Sequence, residues 1–303
     1  MVESPGVTSR ADLGVGERTV VTALVAAATT VDGARPLSEQ SLLDLRDGSG
    51  VTHLLAYAGS TLAGYAQLSR VSAELVVEPD HRRRGVGTTL LATLPQEVRI
   101  WAHGDLPAAP AFAAARGLEP VRELFVLERA VTATEFASHP VLPAGLEVRA
   151  FEPGRDEDEW VRVNAAAFSH HPEQGRLTRA DLEQRLREPW FDRTGLLLVV
   201  PSQHPDTVAA FHWTKVHPAG SKGPGPVGEV YVVGVDPAYQ GRGLGRPLTL
   251  LGLHHLAHQG LQRVILYVDG DNAPALRVYR SLAFSTRGID RMYARTSSLE
   301  VQR

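Results

Sequence analysis

Val230-Tyr231-Val232-Val233-Gly234-Val235-Asp236-Pro237, with Gln240-Gly241-Arg242-Gly243-Leu244-Gly245 just after it, decides the reading of this chain. The β-branched run predicts a buried strand, and the glycines predict a tight turn that opens a helix. Such a turn points free backbone N–H groups, and the positive end of a helix dipole, at any anion above it. The Gln-x-x-Gly-x-Gly spacing is neither the dinucleotide G-x-G-x-x-G nor the phosphate-loop G-x-x-x-x-G-K-[ST]. A βα turn with glycines needed only for tightness is the plain alternative.

The signal occurs twice. Leu75-Val76-Val77-Glu78-Pro79-Asp80-His81-Arg82-Arg83-Arg84-Gly85-Val86-Gly87 has the same order of strand, acid–proline turn and glycines, before an apolar helix from Thr88 to Leu94. One copy per half, about 160 residues apart, is an internal repeat. A chain of 303 residues suits two domains. We place them at residues 1–135 and 145–303, around a linker at 130–145 that carries Pro140, Pro143 and Gly145.

Composition narrows the function classes. A content of 43% hydrophobic and 21% charged residues is ordinary for globular cores. The net charge of −3 gives no basic excess for nucleic acid, and His81-Arg82-Arg83-Arg84 is explained by its place in a phosphate turn. There is no cysteine, hence no disulfide or thiolate metal site, and no run of transmembrane length. A cytoplasmic monomer with neither a membrane nor a nucleic-acid partner is expected. Only Lys215 and Lys222 stand among the 31 basic residues, the arginine bias of a GC-rich genome.

Periodicity and turn residues predict helices at 18–30 and near 41–45, and a hairpin of 52–57 with 61–68 about Gly59-Ser60. They continue with strands at 73–78, 98–102 and 121–128 and a helix at 108–116. In the second half we expect a strand at 147–150, helices at 157–168 and 179–187, and paired strands at 196–201 and 208–216. A Gly/Pro-rich loop at 217–228 precedes the strand 229–235. Then come the helix 244–259, the strand 263–269, the helix 273–282 and a strand near 289–294. Strands and helices alternating around hairpins make an α/β fold.

These motifs resemble the GNAT acetyltransferases. The resemblance implies two tandem GNAT domains, each a mixed, mostly antiparallel sheet flanked by helices, in the order βααβββαβαβ. It implies acetyl-CoA as co-substrate and no metal. Val233, Gly234 and Val235 would meet the pantetheine arm, beside a strand bulge for which Gly234 is suited. Gln240, Gly241, Arg242, Gly243, Leu244, Gly245 and Arg246 would wrap the pyrophosphate. Asn272-Ala273-Pro274-Ala275-Leu276-Arg277, then Tyr279 and Ala283-Phe284, resemble the family's N-x-x-A-x-x-x-Y-x-x-x-G-F block, with Ala283 replacing the usual glycine. By that resemblance Asn272 touches the CoA arm and Tyr279 is the general acid to the leaving thiolate. Their plain readings are a helix N-cap and a packing tyrosine.

An ammonium must lose a proton before its nitrogen attacks a thioester, so a base is needed nearby. Glu229, opening the central strand, is the candidate; a strand-end carboxylate in solvent is its plain reading. The first domain keeps a counterpart cofactor surface in Leu75, Val76, Val77, Arg83, Arg84, Gly85, Val86, Gly87 and Thr88. It lacks the acid: aligning Gly117-Leu118 with Ala283-Phe284 puts Ala113 where Tyr279 sits, and Leu106-Pro107-Ala108 replaces Asn272-Ala273-Pro274. A non-catalytic copy follows.

Residues 164–175, 211–217 and 228–237 are similar to a tandem-domain actinobacterial branch of the family. That branch acetylates the cysteinyl amine of a thiol glycoside, 1-D-myo-inositol 2-(L-cysteinylamino)-2-deoxy-glucopyranoside. By that resemblance Glu39, Glu173, Lys215, Glu229 and Tyr267 line the substrate site. Alternatives are another amine, such as an aminoglycoside or a peptide N-terminus, or an acetyl-CoA-binding module without turnover. His254 and His258 have metal-ligand spacing beside His255, but no carboxylate lies near them in sequence and the reaction needs no metal. We read them as helix-surface residues, and His170-His171 as shaping a substrate loop.

Overall fold

The computed structural model describes residues 6–47, 50–70, 72–171 and 174–296. The chain forms two compact units. The N-terminal unit holds the residues up to Phe125, with Asp269–Asp271 and those from Gly288 onward; the C-terminal unit holds Val126–Val268 and Asn272–Arg287.

The N-terminal unit runs β1 (Gly6–Arg10), α1 (Val15–Asp32), α2 (Glu39–Asp47), β2 (Thr52–Ala58), β3 (Thr61–Leu68), β4 (Ser72–Val77), α3 (Val86–Thr93), β5 (Arg99–Ala102), α4 (Ala108–Ala114) and the first part of β6 (Leu118–Ala130). The C-terminal unit repeats the plan with β7 (Leu146–Ala150), α5 (Glu157–Ala167), α6 (Arg179–Leu186), β8 (Leu196–Pro201), β9 (Ala210–His217), β10 (Val227–Val235), α7 (Gly245–His258), β11 (Arg263–Asp269), α8 (Ala273–Ser281) and the start of β12 (Ser285–Arg295). In each unit four strands pair antiparallel in succession, β1 to β4 and β7 to β10, and the fifth joins in parallel. The order is the expected βααβββαβαβ. The first strand, β1, was not read from the sequence because its polar GVTSR carries no alternating apolar pattern.

Two segments fall differently from a simple cut between residues 135 and 145. The end of β12 pairs antiparallel with β5, Met292 opposite Trp101 and Tyr293 opposite Ile100, so the C-terminal strand belongs to the N-terminal unit. Residues 131–136 pack within the C-terminal unit: Val131 N donates to the Gln262 carbonyl at 3.0 Å, and Phe136 is buried under the Arg129 guanidinium.

Each sheet is covered on both faces. In the C-terminal unit Phe211, Trp213 and Val232 of the sheet pack on one face against Trp160 of α5 and Leu182 of α6, and on the other Val199 and Ala210 pack against Leu244 and against Leu248 and Leu251 of α7. Each fully buried large apolar side chain is worth roughly 1.5–3 kcal/mol.

The central strand β10 makes the opening that positions the site. It pairs with β11 only over Gly228–Val230 and then parts from it, while its pairing with β9 continues to Val235. The register on β9 slips between Val230 and Val232, so the bulge sits at Tyr231. This corrects the expectation that Gly234 forms it. The bulge lets Tyr231 and Val232 both face α5 and α6, and turns Val233 and Val235 toward α7. Gly234 is instead a packing glycine: a Cβ there would lie 2.5 Å from the Phe211 ring. In the N-terminal unit β4 likewise pairs with β5 only over Ser72–Glu74, freeing Leu75–Val77.

Candidate active site

The two glycine turns are built alike. In the C-terminal unit the Asp236 carboxylate accepts from Ala238 N at 2.8 Å, Pro237–Tyr239 make a 3-10 turn, and Gly241 and Gly243 hold left-handed φ of 74° and 75°. In the N-terminal unit Glu78 accepts from Asp80 N at 2.8 Å, Pro79–His81 make the same turn, and Arg83 and Gly85 hold φ of 62° and 87°. Each turn ends at a helix N-terminus, α7 or α3, whose first N–H groups lack partners within the helix. The exposed Arg242 stacks over Tyr239 at 4.8 Å, and Arg246 bonds Ser281. The residues present fit a pyrophosphate: orphan amides, a helix dipole and two guanidinium groups.

On the far side of the opening, Asn272 caps α8, its Oδ1 accepting from Ala275 N at 3.2 Å. Pro274 lies in the first turn, where its missing N–H costs nothing. Tyr279 follows two turns later with its ring against Phe284, and burial pushes its hydroxyl up to about 12. It is a neutral donor throughout the physiological range. Ala283 takes the left-handed conformation, φ 62°, that the family's glycine would adopt freely.

Glu229 is the centre of a buried polar cluster. It lies opposite Lys215 in the β9–β10 register, and His217, two residues further along β9, shares that face. Glu229, Lys215 and His217 are all buried. His217 Nε2 is hydrogen-bonded to Glu229 Oε2. The Lys215 ammonium sits 4.1 Å from the Trp190 ring centroid and 5.1 Å from that of Tyr231. Lys222 donates to the Tyr267 hydroxyl at 2.8 Å. Burial alone would raise the Glu229 pKa. The His217 hydrogen bond and the charges of His217, Lys215 and Lys222 outweigh it and hold the carboxyl below its ordinary value.

Of the expected substrate residues, Lys215, Glu229 and Tyr267 thus gather in one unit, with Tyr267 held by Lys222. Glu39 begins α2 in the N-terminal unit. Glu173 lies outside the described residues. His171 Nδ1 accepts from Gln174 N, and two hydrogen bonds tie Gln174 to the buried Asn164 of α5. His217 and Lys222 were missed. The expected strand stopped at residue 216, one short of His217, and nothing local marks Lys222 in its Gly/Pro-rich loop. The rings of His254 and His258 stack at 4.1 Å, with His139 on His254 at 4.3 Å. Among the described residues no group of His, Asp or Glu is arranged to hold a metal ion.

The N-terminal turn opens onto a cavity of about 630 Å³, lined among others by Val77, Arg83, Gly87, Trp101 and Phe112. Ala113 is on α4, before Gly117 with its left-handed φ of 64°. This matches the place of Tyr279 before Ala283. In the cavity wall His103 is clamped between Glu74, at 3.0 Å, and Asp290, at 2.9 Å. Among the described residues no helix is long and apolar enough to cross a membrane.

A splayed central strand, a glycine turn at a helix start and a second helix capped by asparagine define an acyl-CoA-dependent transferase. The chain belongs to the acetyltransferase (GNAT) family, whose model matches residues 21–107 and 160–284, once in each half. Within it the chain belongs with the mycothiol acetyltransferases. It is 50% identical over 289 residues to that of Thermobispora bispora, covering 92% of this chain and 96% of the relative. It is 48% identical over 300 residues to that of Streptomyces avermitilis, covering 95% and 94%. Two solved structures share the fold. One is a GCN5-related N-acetyltransferase from Sphaerobacter thermophilus, TM-score 0.62 at 22% identity over 95% of this chain and 94% of that one. The other is a tandem GNAT protein of clavulanic acid biosynthesis, TM-score 0.68 at 17% identity over 95% and 97%.

Proposed function

We propose that the C-terminal unit transfers the acetyl group of acetyl-CoA to the cysteinyl amine of 1-D-myo-inositol 2-(L-cysteinylamino)-2-deoxy-glucopyranoside, completing mycothiol. The observation that carries this is the identity of about half to mycothiol acetyltransferases along nearly the whole chain. The substrate fits the chemistry on β9, β10 and β11. A polyhydroxylated amine needs charged and hydroxyl partners, and Glu229, Lys215 and Tyr267 supply them.

On this reading the residues take the following roles. Gln240 to Arg246 hold the pyrophosphate, and Val233, Gly234 and Val235 face the pantetheine arm along the unpaired stretch of β10. Asn272, Ala273, Pro274, Ala275, Leu276 and Arg277 border the arm at the start of α8. Glu229 is the anionic centre of the base that deprotonates the amine. Tyr279 donates its proton to the leaving sulfur.

The N-terminal unit binds acetyl-CoA without turning it over. Support comes from its left-handed turn at Arg83 and Gly85, the cavity beyond it, and the apolar Ala113 at the acid's position. On this reading the reaction takes place in the cytoplasm, on a monomer without nucleic-acid or membrane partners.

The test is mass-spectrometric detection of acetylated product from the purified chain, acetyl-CoA and the cysteinyl glycoside. Mass detection is preferred because the substrate's own thiol would confuse a thiol-release assay. N-acetylation supports the assignment. Bound acetyl-CoA with no product from this glycoside would redirect it to another amine.

A further inference from the structure

Two of the 31 basic residues are lysines, and the fold brings both to the same face of the sheet. Lys215 lies opposite Glu229 in the β9–β10 register. Lys222 comes from the loop between β9 and β10 and donates to the Tyr267 hydroxyl of β11 at 2.8 Å. Ile265 is the neighbour of Glu229 in the parallel β10–β11 register, so Tyr267, two residues on, shares the Glu229 face.

The loop is fastened without the Lys222 side chain. The Lys222 carbonyl accepts from Arg263 Nη2 at 2.9 Å and from Arg287 Nη2 at 3.2 Å, and the Gly220 N–H donates to the Gly223 carbonyl at 2.7 Å. A Cβ on Gly223 would fall 2.2 Å from Arg263 Nη2, so glycine is what admits the guanidinium. Arg263 and Tyr267 are four residues apart on one face of β11. That strand therefore holds the loop's backbone with one residue and meets its ammonium with the other.

The chemistry of the pair gives the bond a direction. An ammonium has three N–H donors and no lone pair, so the Tyr267 oxygen is the acceptor. A hydroxyl that accepts from Lys222 gives its own proton in another direction. Arginine, which this chain uses at its other basic positions, would present a planar fork where a compact point charge now fits.

We infer that Lys222 is a positioning residue of the acceptor site, which fixes the Tyr267 hydroxyl as a donor to an oxygen of the polyhydroxylated part of the substrate. The group recognised is an uncharged hydroxyl or ether oxygen, and the pair favours a glycoside over an amine without sugar oxygens. This rests on the amine reading above.

The experiment compares the full chain with Lys222→Met, Tyr267→Phe and the double variant, using acetyl-CoA and one of two acceptors. One is the cysteinyl glycoside; the other is cysteinamide, which keeps the amine and thiol and lacks the sugar. Product mass is the readout. Lys222→Met is expected to lower kcat/KM for the glycoside roughly tenfold through KM, the scale of one charge-assisted hydrogen bond. The KM for acetyl-CoA and kcat/KM for cysteinamide should not change. Because the two residues act as a unit, adding Lys222→Met to Tyr267→Phe should cost nothing further. An equal loss on both acceptors, or a double variant whose losses multiply, would overturn the proposal and leave Lys222 as loop structure. A wild-type chain that leaves the glycoside unacetylated overturns the amine reading instead. Lys222 is then read by nitrogen-15 NMR of lysine-labelled chain, as it is if Lys222→Met does not fold; two lysines give two side-chain signals. Movement of the Lys222 signal on Tyr267→Phe supports the positioning, and a signal that stays in place sinks it.

Discussion

Arg83 and Gly241 occupy the same step of the two glycine turns, and both hold left-handed backbone, at φ 62° and 74°. Glycine takes this conformation freely, whereas a side chain there costs about 1–2 kcal/mol. The N-terminal turn keeps its anion-cradling shape even with an arginine in the strained position. Ala283 is the same case at the end of α8. Arg83→Gly and Ala283→Gly should each stabilise the chain by about 0.5–1 kcal/mol once the extra freedom of unfolded glycine is counted. Denaturant midpoints would show it, and a lowered midpoint would mean that the replaced side chain makes a compensating contact.

Tyr279→Phe removes the proton donor and keeps the ring against Phe284. With a hydroxyl pushed to about 12, wild-type Tyr279 remains protonated beyond pH 10, so its removal should act across the whole working range. The expected loss is about 10²-fold in kcat with little change in acetyl-CoA affinity, measured by steady-state kinetics and calorimetry. An unchanged kcat would remove Tyr279 as the acid.

Glu229→Gln takes the counter-charge from Lys215 and His217 at once. Because the folded-state pKa of Glu229 is depressed, its contribution to stability is present above the ordinary carboxylate range and is lost as pH falls through the lower folded value. Activity at pH 6.5–7.5 should fall by roughly 10²–10⁴-fold and recover in part at high pH. A deficit that stays flat from pH 6 to 10 would assign Glu229 to binding alone.

His103, between Glu74 and Asp290, would be lowered by burial, but the two carboxylate hydrogen bonds dominate and raise it to about 10. The folded value exceeds the unfolded 6.5, so this stabilisation is complete below pH 6.5 and drains away as pH rises toward 10. His103→Gln leaves two buried carboxylates facing each other and should cost about 3–5 kcal/mol at pH 6. The gap between wild type and variant should narrow by pH 10 in denaturant titrations; a gap that widens with pH would contradict the charged clamp.

His212 is fully buried and donates from Nδ1 to the Leu248 carbonyl at 2.8 Å; desolvation lowers its pKa to about 4. Its ring lies where a Cβ on Gly252 would be, 2.0 Å away. Gly252→Ala should therefore destabilise the C-terminal unit by more than about 2 kcal/mol, since neither helix α7 nor strand β9 can give way cheaply. Thermal unfolding would check it, and a neutral result would mean that the ring has room to rotate away.

The chain states its fold plainly where the code is local. The apolar runs at 73–77 and 230–235, the glycines after them and the Asn272-to-Phe284 block act within a few residues, through backbone conformation and capping, so they can be read along the line. The polar β1 was silent because pairing with β2, and not its own pattern, makes it a strand.

Other features came only from tertiary structure, because pairing between distant segments creates them. The register of β9 on β10 moves the bulge to Tyr231 and puts Lys215 opposite Glu229. One extra residue on β9 carries His217 onto the carboxylate, and a loop brings Lys222 to Tyr267. The pairing of β12 with β5 takes Asp290 to His103. Sequence alone determined a twofold strand–turn–helix plan and the residue types it needs. Long-range hydrogen-bond register, which no local preference encodes, decided which charges meet.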